Sequence, residues 1–123
     1  DNDGLDDIYV QRGYQTPDFN VMLQNQGNGT FTIDNDTGLS EDETIGWPCE
    51  WLDFNNDGYL DLYAPNKLYV NNGIGKFNMV FDEVIKNGEL WYDINNDRYL
   101  DLLSLSTREI YINEGGINLA KQH

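Results

Sequence analysis

The sequence is short of the residues that redox, nucleophilic and soft-metal chemistry depend on. It holds one cysteine, Cys49, and one histidine, His123, which is its last residue. A lone cysteine cannot close an internal disulfide, so cysteine usage leaves the redox compartment open, and Cys49 reads as a small core residue. With a single terminal histidine, a Ser–His or Cys–His nucleophile pair has no plausible base. No apolar run approaches the roughly 18 residues that a membrane helix needs. Nor does any window of about 11 residues or more repeat its apolar positions with helical period, so helices are expected to be minor or absent. Basic residues are scarce as well: 7 Lys and Arg stand against 22 Asp and Glu, a formal charge of −15. That excess repels polyphosphate, which argues against nucleic acid and anionic membrane surfaces and leaves a cation as the natural partner. The opening Asp1, with no signal-like apolar segment after it, reads as the start of a mature or excised piece of a larger protein.

Against these shortages stands a composition that can fold. Of the 123 residues, 39% are hydrophobic and 13% aromatic, enough for the core of one domain. The chain also repeats itself, which bears on the fold more than any single motif. The stretch from Trp51 to Leu62, WLDFNNDGYLDL, returns 40 residues later from Trp91 to Leu102 as WYDINNDRYLDL. A third copy opens the chain, where DNDGLDDI over residues 1–8 aligns with Asn55 to Leu62 and begins inside the motif. A second landmark follows each copy: Asn25-Gln26-Gly27-Asn28-Gly29-Thr30-Phe31 matches Asn71-Asn72-Gly73-Ile74-Gly75-Lys76-Phe77, and Asn113-Glu114-Gly115-Gly116-Ile117 is a degraded version. From the first copy to the second the spacing is 54 residues, so a surface insertion is expected at Ser40-Glu41-Asp42-Glu43-Thr44.

Between landmarks the pattern is one of short strands. Leu60 to Ala64 is stopped by Pro65-Asn66, Lys67 to Asn71 runs into a glycine turn, and Phe77 to Phe81 follows it. With Glu50-Trp51-Leu52 added, each unit supplies four strands, the size of a propeller blade. The expected architecture is all-β: about three four-stranded antiparallel blades of a β-propeller-like array, incomplete as a ring, over residues 1–46, 47–86 and 87–123. Trp47, Trp51 and Trp91 are expected to fill the blade cores.

The acidic residues are not scattered. In Asp53-x-Asn55-x-Asp57-Gly58-x-x-Asp61, oxygen-bearing side chains recur at alternate positions, and a tight turn at Gly58 can wrap them round one point. Asp53, Asn55, Asp57, the Tyr59 carbonyl and Asp61 form an all-oxygen set that suits Ca2+, which tolerates irregular cages of six to eight oxygens (roughly, as a class). Magnesium wants a stricter octahedron, and the lack of His or Cys in the set argues against zinc and softer metals. An EF-hand or dockerin loop starts in the same way but requires a glutamate at its twelfth position, where this chain has Ala64 and Ser104, and helical flanks, where it has strands. Asp/Asn/Gly clusters also cap ordinary turns without any metal. Three copies in register bring several like charges together, and that repulsion argues for a cation. The third loop offers Asp93, Asn95, Asp97, the Tyr99 carbonyl and Asp101, with Arg98 in place of the turn glycine. The first retains Asp1, Asp3, the Leu5 carbonyl and Asp7.

Together, the loops at Asp53 to Leu62 and Asp93 to Leu102 and the turn at Asn71 to Phe77 resemble the FG-GAP/VCBS-type repeat, the unit of integrin α-chain propellers and of many microbial surface proteins. The resemblance spans nearly the whole chain, with departures at Arg98, at the Gly115-Gly116 turn and at the first loop. It implies calcium-stiffened four-stranded blades in a larger ring, an extracellular or cell-surface location, and a role in adhesion or ligand display. The partners it implies are an extracellular protein, a glycan, or further copies of the chain, since three repeats leave open edges. An enzyme reading would enlist Glu50 between Trp47 and Trp51, or the acidic run Glu41-Asp42-Glu43, for sugar chemistry, and is the weaker one. Asn28 and Asn35 head tripeptides that fit the N-glycosylation pattern.

Overall fold

The computed structural model describes residues 1–11, 20–39, 49–64, 66–82, 88–116 and 119–122. Among the described residues there are strands and turns and no helix. Three antiparallel sheets follow one another along the chain, each a simple meander. The first contains β1 (Ile8–Val10), β2 (Val21–Asn25) and β3 (Phe31–Asp34). The second contains β4 (Glu50–Leu52), β5 (Asp61–Ala64), β6 (Lys67–Asn71) and β7 (Phe77–Asp82). The third contains β8 (Glu89–Tyr92), β9 (Asp101–Ser104), β10 (Glu109–Asn113) and β11 (Leu119–Lys121). None closes on itself, and the arrangement is that of successive propeller-like blades. Four strands per sheet are found in the second and third. The first has three among the described residues. The insertion expected over residues 40–44, Pro65 and Trp47 lie outside the described residues.

Local chemistry accounts for the strand ends. Asn66, at φ 66°, turns the chain between β5 and β6, since asparagine tolerates the left-handed region through short-range polar contacts. The glycine landmarks become the hairpins between β2 and β3 and between β6 and β7. Each is closed by one backbone bond, Gln26 N–H to the Thr30 carbonyl at 3.0 Å and Asn72 N–H to the Lys76 carbonyl at 2.9 Å.

The sheets pack face to face, so the inner strands of the middle one are buried on both sides. All of β5 is inaccessible to solvent. Its alternation sends Leu62 and Ala64 to the joint with the first sheet, where they meet Tyr9, Met22, Leu39, Tyr69 and Phe77. Tyr63 goes to the joint with the third sheet, among Leu52, Phe54, Leu68, Phe81, Leu102 and Tyr111. Phe77 and Phe81 have the same parity in β7 yet serve opposite joints. A bulge explains this: Leu68 pairs with Phe81 and Tyr69 with Met79, leaving Val80 as the extra residue that reverses the alternation.

Trp51 packs on the first joint and Trp91 on the second, as anticipated, each partly buried. Trp91 meets the edges of Tyr63 and Phe54 at 5.3 and 6.1 Å between ring centroids. Cys49 corrects the expectation of a core residue: it is exposed, because it precedes edge strand β4 rather than lying within it. The faces left over at the two ends of the stack are apolar. Ile8, Val10 and Ile33 point away from the second sheet on the first, and Leu90 and Tyr92 do so on the third.

Truncating a side chain at a joint removes contacts with two sheets at once. Leu102→Ala, at a position with no solvent exposure, is expected to cost about 2–5 kcal/mol in urea denaturation. Ile33→Ala on the open face should stay within about 0.5 kcal/mol.

Candidate functional site

Each acidic hairpin sits at the entrance to a sheet: residues 53–60 link β4 to β5, residues 93–100 link β8 to β9, and residues 1–7 lead into β1. The hairpins share one backbone path. A residue at the fourth position and another at the sixth take positive φ: Asn56 at 56° and Gly58 at 89°, Asn96 at 63° and Arg98 at 80°, and, in the aligned first copy, Asn2 at 65° and Gly4 at 89°. Glycine carries this at no steric cost, whereas a side chain such as that of Arg98 costs roughly 1–2 kcal/mol.

The acidic side chains hold that path by accepting backbone N–H groups. Asp53 takes Asp57 N–H on Oδ1 and Gly58 N–H on Oδ2, both at 3.0 Å. Asp57 Oδ1 takes Tyr59 N–H at 2.8 Å, and Asn55 Nδ2 donates to Asp57 Oδ2 at 2.8 Å. The third hairpin repeats the pattern bond for bond through Asp93, Asn95 and Asp97, with Arg98 N–H on Asp93 Oδ2 at 2.9 Å. In the first, Asp1 and Asp3 accept Asp3 N–H and Leu5 N–H at 3.0 and 2.9 Å, and Gln24 Nε2 donates to Asp1.

The ninth-position carboxylates of the second and third hairpins are buried. Asp61 and Asp101 are inaccessible to solvent. Asp61 accepts Phe54 N–H and Asn71 N–H, each at 2.8 Å, and thereby ties the start of the hairpin to the end of β6. Asp101 does the same with Ile94 N–H and Asn113 N–H, also at 2.8 Å. Asp7 accepts Asn25 N–H at 2.9 Å and pairs with the Asp1 amino group at 3.0 Å. Burial pushes the Asp61 carboxyl up to about 6, helped by the nearby charges of Asp57 and Asp53 and opposed by its two amide bonds.

Reading the sequence missed the asparagines that answer these aspartates. Asn25, Asn71 and Asn113 donate their Nδ2 to the carbonyls of Asp6, Leu60 and Leu100, while Oδ1 receives Gly27, Gly73 and Gly116 N–H. Their signal was present, for each is the first residue of the Asn-x-Gly landmark. Of the enzyme-reading residues, Glu50 is exposed, and Trp47, residues 41–43 and His123 lie outside the described residues.

The donor set of each hairpin is all-oxygen and anionic, as a hard cation requires, and an oxygen that accepts one N–H keeps a second lone pair. The side chains nonetheless stand on amides rather than around a common centre. Among the described residues no three Asp, Glu, His or Cys side chains form a group ready to hold a metal.

A family model for the FG-GAP-like repeat matches residues 1–64, which include the first hairpin, the first sheet and the second hairpin through β5. The chain belongs to the FG-GAP-like repeat family. That family is a structural repeat module, in keeping with the stacked sheets of this chain. No curated protein and no solved structure matches it. The third hairpin of this FG-GAP-like chain, beyond the matched residues, has the same backbone path and the same bonds as the second.

Two substitutions separate anchor from cap. In chelator, Asp61→Ala should cost about 1–3 kcal/mol for each buried N–H it leaves unpaired, whereas Asp53→Ala, whose amides can turn to water, should cost under about 1 kcal/mol by urea denaturation. Arg98→Gly should stabilise the chain by up to about 1 kcal/mol through relief of the left-handed strain, and an unchanged or lower midpoint would contradict that strain.

Proposed function

We propose that this chain is a calcium-binding repeat module of an extracellular or cell-surface protein, serving adhesion, ligand display or surface assembly, and that it is not an enzyme. The observation that carries the reading is the recurrence of one hairpin: the same donor atoms on the same turn at 53–61 and 93–101, with local bonds that agree even where Arg98 replaces glycine. In the second hairpin Asp53, Asn55, Asp57, the Tyr59 carbonyl and Asp61 would hold the ion, in the third Asp93, Asn95, Asp97, the Tyr99 carbonyl and Asp101, and in the first Asp1, Asp3, the Leu5 carbonyl and Asp7. A bound Ca2+ supplies positive charge where like charges crowd. The residues do the rest: Asp61 and Asp101 lock the hairpin to the next strand, and Asn71 and Asn113 fix its far end.

The resemblance to repeats of surface proteins supports the location outside the cell. No helix among the described residues is long and apolar enough to cross a membrane. A second reading, assembly with further copies of the chain, is favoured by the exposed apolar side chains on the outer faces, Ile8, Val10 and Ile33 on the first sheet and Leu90 and Tyr92 on the third. Light scattering across a concentration series addresses it, with a monomer at all concentrations as the contrary result.

Calorimetry with and without the ion tests the main reading. If free Ca2+ is ten times the dissociation constant, each site adds about 1.4 kcal/mol, so the melting temperature should rise with calcium, fall with chelator and respond weakly to magnesium. Identical melting curves in calcium and chelator would overturn it.

A further inference from the structure

The second acidic hairpin is not held by its own sheet alone. Phe54, which follows Asp53, is buried between the second and third sheets. Its N–H is taken by Asp61 at 2.8 Å, and its carbonyl accepts Asn113 Nδ2 at 2.8 Å from β10 of the third sheet. Asn113 N–H in turn goes to Asp101 at 2.8 Å, so a continuous path runs from Asp61 through Phe54 and Asn113 to Asp101. Steric contact runs beside it. Asn113 Oδ1 accepts Gly116 N–H at 2.7 Å and presses the turn onto the second hairpin, where a Cβ on Gly116 would lie 2.6 Å from Asn55 Cβ and 2.9 Å from its Cα. The preceding joint is built alike, with Gly75 of the second sheet against Asp1 of the first hairpin, a Cβ there falling 3.1 Å from Asp1 Cβ.

We propose that Asn113 and Gly116 are positioning residues for the second hairpin, so that docking of the third sheet stiffens a turn that its local bonds already shape. The sites along the stack then behave as a coupled series: the first and second hairpins are each braced by the sheet that follows. The consequence for ion affinity rests on the calcium reading above, whereas the coupling itself does not.

A matched pair of glycine variants isolates the contact. Gly115 and Gly116 both have positive φ, at 70° and 74°, so alanine strains the backbone at either, but a Cβ on Gly115 meets nothing within 4 Å. Amide hydrogen exchange in chelator should show the N–H groups of Phe54, Asp57 and Gly58 exchanging about tenfold faster in Gly116→Ala than in Gly115→Ala, with β5 and β6 unchanged. Asn113→Ala should speed the same amides, and Asn25→Ala, at the equivalent place in the first sheet, should leave them alone. Equal exchange at Phe54, Asp57 and Gly58 in the two glycine variants would overturn the proposal. Terbium luminescence titration then reads affinity: a loss in Gly116→Ala but not in Gly115→Ala, with every ligand intact, supports coupling at the ion site. Absence of saturable terbium or calcium binding in the unsubstituted chain defeats the calcium reading, and the exchange comparison still decides the coupling.

Discussion

A buried aspartate that accepts two backbone N–H groups is the constraint on which the rest of the structure depends. At Asp61 one amide belongs to the start of the acidic hairpin and the other to the end of β6, so a single carboxylate joins a loop, the strand it leads into and the neighbouring strand. Asp101 repeats this in the third sheet. Without these carboxylates the amides would be buried and unpaired, an expensive state for any fold. Burial has its own cost, since it disfavours the ionised form, and at Asp61 the neighbouring Asp57 and Asp53 add to it.

The two joints are variations on one pattern. Each receives a tryptophan, Trp51 or Trp91, from the first strand of the following sheet and a leucine, Leu62 or Leu102, from its second. Fully buried hydrophobic side chains on both faces of β5 make the middle sheet the centre of stability. The first joint adds a piece of backbone: Phe77 N–H bonds to the Thr37 carbonyl at 2.8 Å, and Leu39 is wholly buried beside it. Lys76 also pairs with Asp36 at 2.6 Å, but Asp36 is almost fully exposed, and such a surface pair contributes little. Apolar packing and backbone bonds therefore hold the sheets together, and the charges are left to the hairpins.

Sites made of hairpins and completed by the next sheet suit a repeat array. A lone blade could form its turn from local bonds, since Asp53, Asn55 and Asp57 bond only to residues within the hairpin. The outer support from Asn113 and Gly116 exists only when another blade is present. Addition of a blade thus buries apolar surface and finishes the preceding hairpin in the same event, the nearest-neighbour behaviour on which repeat proteins rely.

Several features were legible in the sequence because they depend on neighbours along the chain. Alternating side chains define strands, Asn and Gly at fixed offsets define turns, and the return of WLDFNNDGYLDL as WYDINNDRYLDL defines the repeat. These local rules sufficed for the all-β class, the hairpins at 53–61 and 93–101 and the left-handed residue at position 98. Other features required three dimensions. The bulge at Val80 sends Phe77 and Phe81 to opposite joints, Cys49 falls outside the core, and Asn113 reaches Phe54 across 59 positions of sequence. No short-range period encodes such contacts, because they arise only when sheets dock and each buried polar group must find a partner on whatever surface arrives. Near neighbours along the chain encode the blades and their acidic hairpins; which sheet braces which hairpin is settled only on docking, because it depends on the close packing of surfaces far apart along the chain.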